Sequence, residues 1–200
     1  MKAMVLQSPE TLVQGEIENP TIEAGNTLIK ITHSGVCGTD LKIYQGGIPV
    51  DYPRIMGHEM IGEVAEVGDA EGVEIGSRVI IDPVVYCGHC YQCQRGQTQL
   101  CPTGAIYGRD RDGGFTEYMQ TAADAIFPLP DNISGNTAPL LQVMTTCLHA
   151  QRLSDVFPGD SVVVLGLGVG GLLHVQLAKA RGAYPVIGIT RSPQRRELAE

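Results

Sequence analysis

Four cysteines within fifteen residues, Cys87, Cys90, Cys93 and Cys101, restrict this chain more than any other feature of its sequence. Their spacing is C-x2-C-x2-C-x7-C, in a loop that also holds Gly88, Gly96 and Pro102. Four thiolates this close can surround one tetrahedral Zn²⁺, and two-residue spacers let one turn present successive sulfurs to one point. Two disulfides, four unrelated thiols and an iron–sulfur cluster are the alternatives that spacing leaves open. A zinc held by four sulfurs has no position left for substrate or water, so this site is expected to be structural. His89, between two of the cysteines, is expected to be exposed at a loop tip.

The rest of the composition is that of a globular chain. Of 200 residues 43% are hydrophobic, 18% charged and 5% aromatic, enough for one large domain or one domain and part of another. The net charge of −8 argues against a broad grip on nucleic acid or an anionic membrane. It is unevenly spread: residues 1–150 carry 18 acids and 8 bases, residues 151–200 four acids and six bases. The most apolar stretch, Ser161–Leu173, is short and broken by glycines, so no bilayer span is expected. The N-terminus lacks the apolar core and cleavage site of a signal peptide. A cytoplasmic protein is the resulting expectation, and reducing conditions there disfavour disulfides.

Up to about residue 135 the chain reads as short strands separated by turns. Val13–Ile17, Leu28–Thr32, Gly62–Val67 and Arg78–Ile81 are β-rich runs bounded by Gly, Pro, Asp or Asn, which predicts a partly closed β-structure. Helical signal is weak there, apart from a turn starting at Asp40. From Asn136 to Leu153 a helix is expected, with Leu140, Leu141, Met144, Leu148 and Leu153 on its apolar face. Pro158-Gly159-Asp160 marks a seam. Beyond it come a strand at Val162–Leu165, a glycine cluster, a helix from about Val169 to Arg181, a strand at Val186–Ile189 and a helix opening at Ser192-Pro193. That order is a βαβ unit and implies a parallel sheet. The expected domains are residues 1–150 and 151–200. A two-stranded start cannot bury both faces of a cofactor-binding sheet, so the second domain is expected to continue beyond Glu200.

Cys37-Gly38-Thr39-Asp40 follows an apolar strand, and Gly57-His58-Glu59 precedes another. One cysteine, one histidine and one carboxylate form a mixed donor set suited to a zinc ion with an exchangeable position. On residue types alone, a packed apolar cysteine and a structural histidine are equally open. Taken with the four-cysteine loop, Gly57-His58-Glu59-x2-Gly62-x5-Gly68 and Gly35-Val36-Cys37-Gly38-Thr39-Asp40 resemble the zinc-containing medium-chain alcohol dehydrogenases, most closely their threonine, polyol and sugar dehydrogenase branches. The likeness runs through essentially the whole chain. It implies a GroES-like β-barrel catalytic domain followed by the start of a Rossmann α/β domain.

The resemblance also implies roles. Cys37 and His58 are expected to ligate a catalytic zinc, with Glu59 as a third ligand or a carboxylate just behind it. Thr39 is expected to pass the substrate proton toward solvent, and Asp40 to orient His58 by accepting its second ring N–H. A helix N-cap is the local alternative for Asp40, compatible with that role. Gln142 departs from the family, standing where relatives place a Cys or Glu as the remaining ligand. Two readings stand for it: weak or transient zinc ligation, or an amide that holds a water or a substrate hydroxyl. Cys147 is expected to be a packed apolar residue and His149 a core or interface histidine. Gln45–Tyr52 and Tyr107–Gly114 are expected to line the cleft.

Gly166-Leu167-Gly168-Val169-Gly170-Gly171 contains G-x-G-x-x-G directly after a strand and at the opening of a helix, the context a dinucleotide fingerprint requires. Gly166 is expected to permit the tight turn, Gly168 to let backbone approach the pyrophosphate, and Gly171 to pack helix on strand. Free N–H groups from Val169 onward would face the phosphate. At the end of the second strand Thr190 stands where NAD-binding proteins carry an acid, and Arg191, Ser192, Arg195 and Arg196 follow. Without a carboxylate a 2′-phosphate is not repelled, arginine can grip it bidentately, and the hydroxyls of Thr190 and Ser192 can donate to it. NADP is therefore expected over NAD, with a solvated basic face as the alternative.

The function expected is reversible oxidation of a secondary alcohol, polyol or sugar-type hydroxyl to a carbonyl, with NADP and two zinc ions per chain, one catalytic and one structural. The partner is a small alcohol or carbonyl substrate, and the resemblance implies a homodimer or homotetramer. Two other functions are weighed: a non-catalytic zinc-stabilised binding module or truncated relative, and a medium-chain reductase without catalytic zinc. Retention of Cys37, His58 and Glu59 argues against the last.

Overall fold

Runs of alternating or continuous apolar residues place most of the chain's strands in its first two-thirds. The computed structural model describes all residues from Met1 to Glu200. They fall into two compact units, Met1–Pro139 and Leu140–Glu200.

The first unit is built on two antiparallel sheets. Strands β1 (Lys2–Ser8), β2 (Thr11–Glu16) and β4 (Arg54–Ile55) form one, in the order β2-β1-β4. Strands β3 (Asn26–Gly35), β5 (Glu59–Val67), β6 (Arg78–Ile81), β9 (Tyr118–Ala122) and β10 (Ile126–Pro128) form the other, in the order β10-β6-β5-β3-β9. Residues 115–117, leading into β9, join the two: Met4 N–H donates to Phe115 C=O (2.8 Å) and Glu117 N–H to Lys2 C=O (3.1 Å). The partial closure expected from the strand spacing arises at this seam. Inside, Ile29, Met60, Val64, Val79, Ile81 and Met119 form one buried cluster. Each such side chain contributes about 1.5–3 kcal/mol by leaving water.

A second cluster, Leu6, Ile43 and Met56, anchors helix α1 (Gly38–Tyr44) against the first sheet. The pair β7 (Val84–Val85) and β8 (Ala105–Ile106) closes the base of the cysteine loop, which holds the single-turn helix α2 (Tyr91–Gln94).

The second unit begins with helix α3 (Leu140–Leu153), which packs on helix α4 (Val169–Ala180). Strands β11 (Val162–Leu165) and β12 (Val186–Ile189) pair in parallel, and the short helix α5 (Pro193–Glu197) follows. The compact units divide at Pro139 because α3 makes its packing contacts with α4. The buried face of α3 also differs from expectation. Leu140, Leu148 and Leu153 are exposed, and Cys147 and Gln151 are the buried residues. The physical reason is polar: Gln151 Nε2 donates to the His174 carbonyl (2.9 Å) and meets its Nδ1 (3.2 Å), while Arg181 reaches the Gln151 carbonyl (3.1 Å). Cys147 is packed as expected, with its Sγ toward the Gly170 carbonyl, whereas His149 is exposed rather than in a core.

Candidate functional site

Antiparallel pairing brings the two ligand-bearing motifs together. Gly35, the last residue of β3, is opposite Glu59, the first of β5. Cys37 lies two residues past the end of one strand and His58 one residue before the start of the other. The donor atoms of Cys37, His58 and Glu59 all lie within 4.8 Å of one another.

Asp40 holds two of the three from behind. Cys37 is the N-cap of α1. Asp40 occupies position N3 of that helix, not the N-cap, and its Oδ2 accepts the Cys37 backbone N–H at 2.7 Å. Its Oδ1 sits 3.3 Å from His58 Nδ1, a charge pairing at the long edge of hydrogen-bond range, and has no other partner. That pairing is the largest cause lifting His58 to about 9; burial opposes it, and the charge of Asp40 and then the Cys37 sulfur add to the rise. With Nδ1 turned to Asp40, Nε2 is the nitrogen left for a metal. Glu59 is buried, and loss of water pushes its carboxyl up, while His58 and Cys37 pull it down. A bound cation would balance the charge of such a gathered donor set.

Gly35 is a functional residue that sequence reasoning missed. A Cβ at that position would overlap the Glu59 carboxylate, so only glycine leaves it room. Its neighbour Gly57, with φ of 95°, occupies the left-handed region that glycine enters freely. The glycine in each motif was the available signal; what it approaches is a matter of strand pairing. Thr39 is half-buried in the first turn of α1.

The four-cysteine loop forms a second donor group. The sulfurs of Cys87, Cys90, Cys93 and Cys101 lie within 4.8 Å of one another, and all four residues are free thiols. Cys87 and Cys93 sulfurs are 4.0 Å apart, about twice the ~2.05 Å of a disulfide. Two sulfurs each ~2.3 Å from one tetrahedral ion stand close to that separation. The tight grouping suits a single ion better than sulfurs spread around several irons. Donors from the Thr103 hydroxyl and the Cys87 N–H bring Cys101 down to about 6, whereas desolvation and the neighbouring sulfurs push Cys93 up to about 12. So many sulfurs cannot ionise together without a cation among them. His89 is exposed, as expected, with Nδ1 2.7 Å from the Cys87 carbonyl oxygen.

In the second unit the glycine loop joins β11 to α4. Gly166 has φ of 91° and donates its N–H to the Ile189 carbonyl at 2.8 Å, tying the loop to the end of β12. Gly168 caps α4 and has open space where a side chain would stand; Val169 begins the helix beside it. A Cβ on Gly171 would run into the Gly166 carbonyl, so this glycine packs helix on loop more than helix on strand. Thr190 Oγ1 accepts the Ser192 N–H at 3.2 Å. Ser192 is the N-cap of α5: its Oγ accepts the Arg195 N–H at 3.3 Å and donates to Gln194 at 3.0 Å. That hydroxyl proton is therefore engaged locally, while Arg191, Arg195 and Arg196 extend into solvent. Gln142 lies half-buried on α3 in this unit, and its carbonyl accepts the Thr145 hydroxyl. No helix is long and apolar enough to cross a membrane.

The alcohol dehydrogenase GroES-like domain family matches residues 23–131. An L-threonine 3-dehydrogenase of Pyrococcus furiosus is 40% identical over 190 residues, 92% of this chain and 54% of that protein. A zinc-binding dehydrogenase of Sinorhizobium meliloti, solved bound to NADP, is 36% identical and superposes with a TM-score of 0.93 over 99% of this chain and 58% of its own. An Escherichia coli alcohol dehydrogenase solved with NADH is 37% identical, with a TM-score of 0.92 over 100% of this chain and 59% of its own. The chain thus spans somewhat over half the length of the proteins it matches.

Proposed function

This chain belongs to the zinc-containing medium-chain alcohol dehydrogenase family, and from that membership we propose that it serves the reversible oxidation of a secondary alcohol, polyol or sugar-type hydroxyl with NADP. The observation that carries the proposal is the convergence of Cys37, His58 and Glu59 at one point, with Asp40 behind His58. It favours the zinc-dependent reading over a zinc-free reductase or a binding module, for which a converging Cys–His–Glu set would have no use.

The donor chemistry fits zinc at both groups. Cys37, His58 and Glu59 would hold the catalytic ion, with Gln142 as a weak ligand or as the amide that fixes a water or substrate hydroxyl. Cys87, Cys90, Cys93 and Cys101 would hold the structural one. When bound, the zinc supplies Lewis acidity toward the substrate oxygen, and the nicotinamide gives or takes the hydride. The chain's own residues do the rest. Asp40 fixes the His58 tautomer, the buried Glu59 carboxylate balances charge beside the metal position, and the Thr39 hydroxyl carries the alcohol proton outward. Gly166, Gly168, Val169 and Gly171 would receive the pyrophosphate at the start of α4.

NADP is preferred on charge. No acid stands at Thr190, whose own O–H is free to donate, and Arg191, Arg195 and Arg196 lie in solvent without an ion pair. The substrate class follows the relatives, which act on alcohols and on L-threonine. The family further suggests a homodimer or homotetramer and a cytoplasmic setting, with residues 1–150 as catalytic domain and 151–200 as the opening of the nucleotide-binding one. Metal analysis and a panel of alcohols, polyols and sugars assayed with NADP and with NAD on the full-length protein test the proposal. Two zincs per chain and NADP-preferring turnover are expected. A single zinc would remove the catalytic ion from the reading, and strict use of NAD would overturn the cofactor.

A further inference from the structure

The segment that delivers His58 is gripped from outside the metal site by a second stretch of backbone. Ile55, Met56 and Gly57 precede the histidine directly. Their carbonyls accept, respectively, the N–H groups of Gly113 (2.8 Å), Phe115 (2.9 Å) and Gly114 (3.0 Å). The Ile55 N–H is itself taken by Asp112 Oδ1 at 2.9 Å, and the same oxygen pairs with the Arg54 guanidinium at 3.0 Å. Four consecutive residues, 112–115, therefore satisfy four polar groups of the three residues before His58.

Glycine is what permits so close an approach. A Cβ on Gly113 would overlap the Gly57 carbonyl, and one on Gly108 would come within 2.8 Å of the Gly57 N and O. Gly108 also takes φ of 80° and donates to the Arg111 carbonyl at 2.7 Å, folding 108–111 into a tight turn beneath the grip. On the other side Phe115 stacks where a Gly57 side chain would stand. The peptide before His58 is thus held on both faces, and a shift of either side chain or backbone at 113 has no slack into which to relax.

We propose that Asp112 and Gly113 are positioning residues for the catalytic metal: they act through the 55–57 backbone to set where His58 presents its ring to Cys37 and Glu59. The inference rests on the reading of those three residues as a zinc site. A group that orients a metal-ligating histidine is commonly worth about 10- to 100-fold in metal affinity, and this grip orients it through the main chain.

The test measures zinc content and zinc release to a chelating dye, with cobalt-substituted absorption spectra, in the parent chain, Cys37→Ser, Gly113→Ala, Asp112→Ala, Asp112→Asn and the control Gly15→Ala. A Cβ at Gly15 meets only Val5, at an ordinary 3.9 Å. Two zincs in the parent and one in Cys37→Ser are expected. Gly113→Ala should keep the four-cysteine zinc and bind the other about 10- to 100-fold more weakly, with an altered cobalt spectrum. Asp112, half in solvent, can be removed without opening a core. Asp112→Ala should therefore release zinc faster while keeping the four-cysteine zinc, and Asp112→Asn, which keeps an oxygen for the Ile55 N–H, should restore parental release. Parental release in both Gly113→Ala and Asp112→Ala would overturn the inference while leaving the metal site standing. A parent that binds no more zinc than Cys37→Ser would overturn the metal reading and this inference with it.

Discussion

Asp40 shows how one buried carboxylate can serve a helix and a candidate metal site at once. One oxygen accepts the Cys37 N–H and starts α1; the other faces His58 Nδ1. Asp40→Asn should separate the two tasks. The amide oxygen can still take the Cys37 N–H, so the helix start survives, but an N–H would now face the ring N–H. Zinc binding at Cys37/His58/Glu59 should weaken by about 10- to 100-fold with little change in helicity, as read by chelator competition and circular dichroism. Affinity unchanged by the amide would mean that Asp40 only caps the helix. Asp82 behaves differently. Burial is the main cause that raises its carboxyl, Asp124 adds to it, and the Val84 N–H held by Oδ1 at 2.9 Å works the other way. An acid raised in the folded state prefers to be protonated there, so ionising it costs stability. That cost is absent below the unfolded carboxylate range, grows as pH rises toward and through the folded value, and is complete above it. Asp82→Asn keeps the acceptor for Val84 and loses the charge. Its denaturant midpoint should exceed the parent's at pH 7, with the gap closing on acidification; a lower midpoint at pH 7 would refute this.

At the scale of elements, the parallel pair β11–β12 gathers the features proposed to face the nucleotide at one end. Leu165 is in register with Ile189, and the Gly166 N–H bonds the Ile189 carbonyl, so the glycine loop and Thr190 emerge side by side at the carboxyl ends of both strands. Ligands of open parallel sheets bind there. Thr190→Asp in the full-length protein should lower kcat/KM for NADP at least tenfold, since one charge-assisted hydrogen bond of about 1.5–3 kcal/mol is exchanged for repulsion. NAD should be spared, and an equal loss with both cofactors would place Thr190 outside the ribose site. These elements were legible because their signals are local. Val162–Leu165 is an uninterrupted apolar run, Arg78–Ile81 and Val186–Ile189 are apolar but for Arg78 and Gly188, all three stand between turn residues, and each is a strand over those same residues. Arg54–Ile55, Val84–Val85 and Ala105–Ile106 are two residues long and have no period to read. The leucines of α3 pointed to the wrong face because Gln151 is buried by a histidine and an arginine distant in sequence. At the site, ligand types and spacing were readable, whereas the room made by Gly35 and the grip of Gly113 exist only once strands are paired.

Across the molecule, the two donor groups differ in how much fold they must hold. Cys37, His58 and Glu59 sit at the ends of long strands with a hydrophobic cluster beneath, and that framework has its own cohesion. The lobe at 86–104 has none. It is closed only by the two-residue pair β7–β8, it contains one helical turn and a short 3-10 turn, and neither carries a buried residue. Its large apolar side chains, Tyr91 and Leu100, face solvent at 67% and 56% exposure. Ordering these residues costs backbone entropy that little core burial offsets. A structural zinc, whose binding is coupled to folding, supplies stabilisation that the lobe's own packing does not. Stripping zinc should therefore abolish amide-exchange protection across 86–104 and admit proteases there, while β3, β5 and β6 stay protected. Five thiols should then react rapidly with a disulfide reagent, and Cys147, 4% exposed, only on unfolding. Protection that persists in the lobe after chelation would show that something other than metal holds it; loss of protection in β3, β5 and β6 as well would show that the framework leans on the zinc, not the reverse.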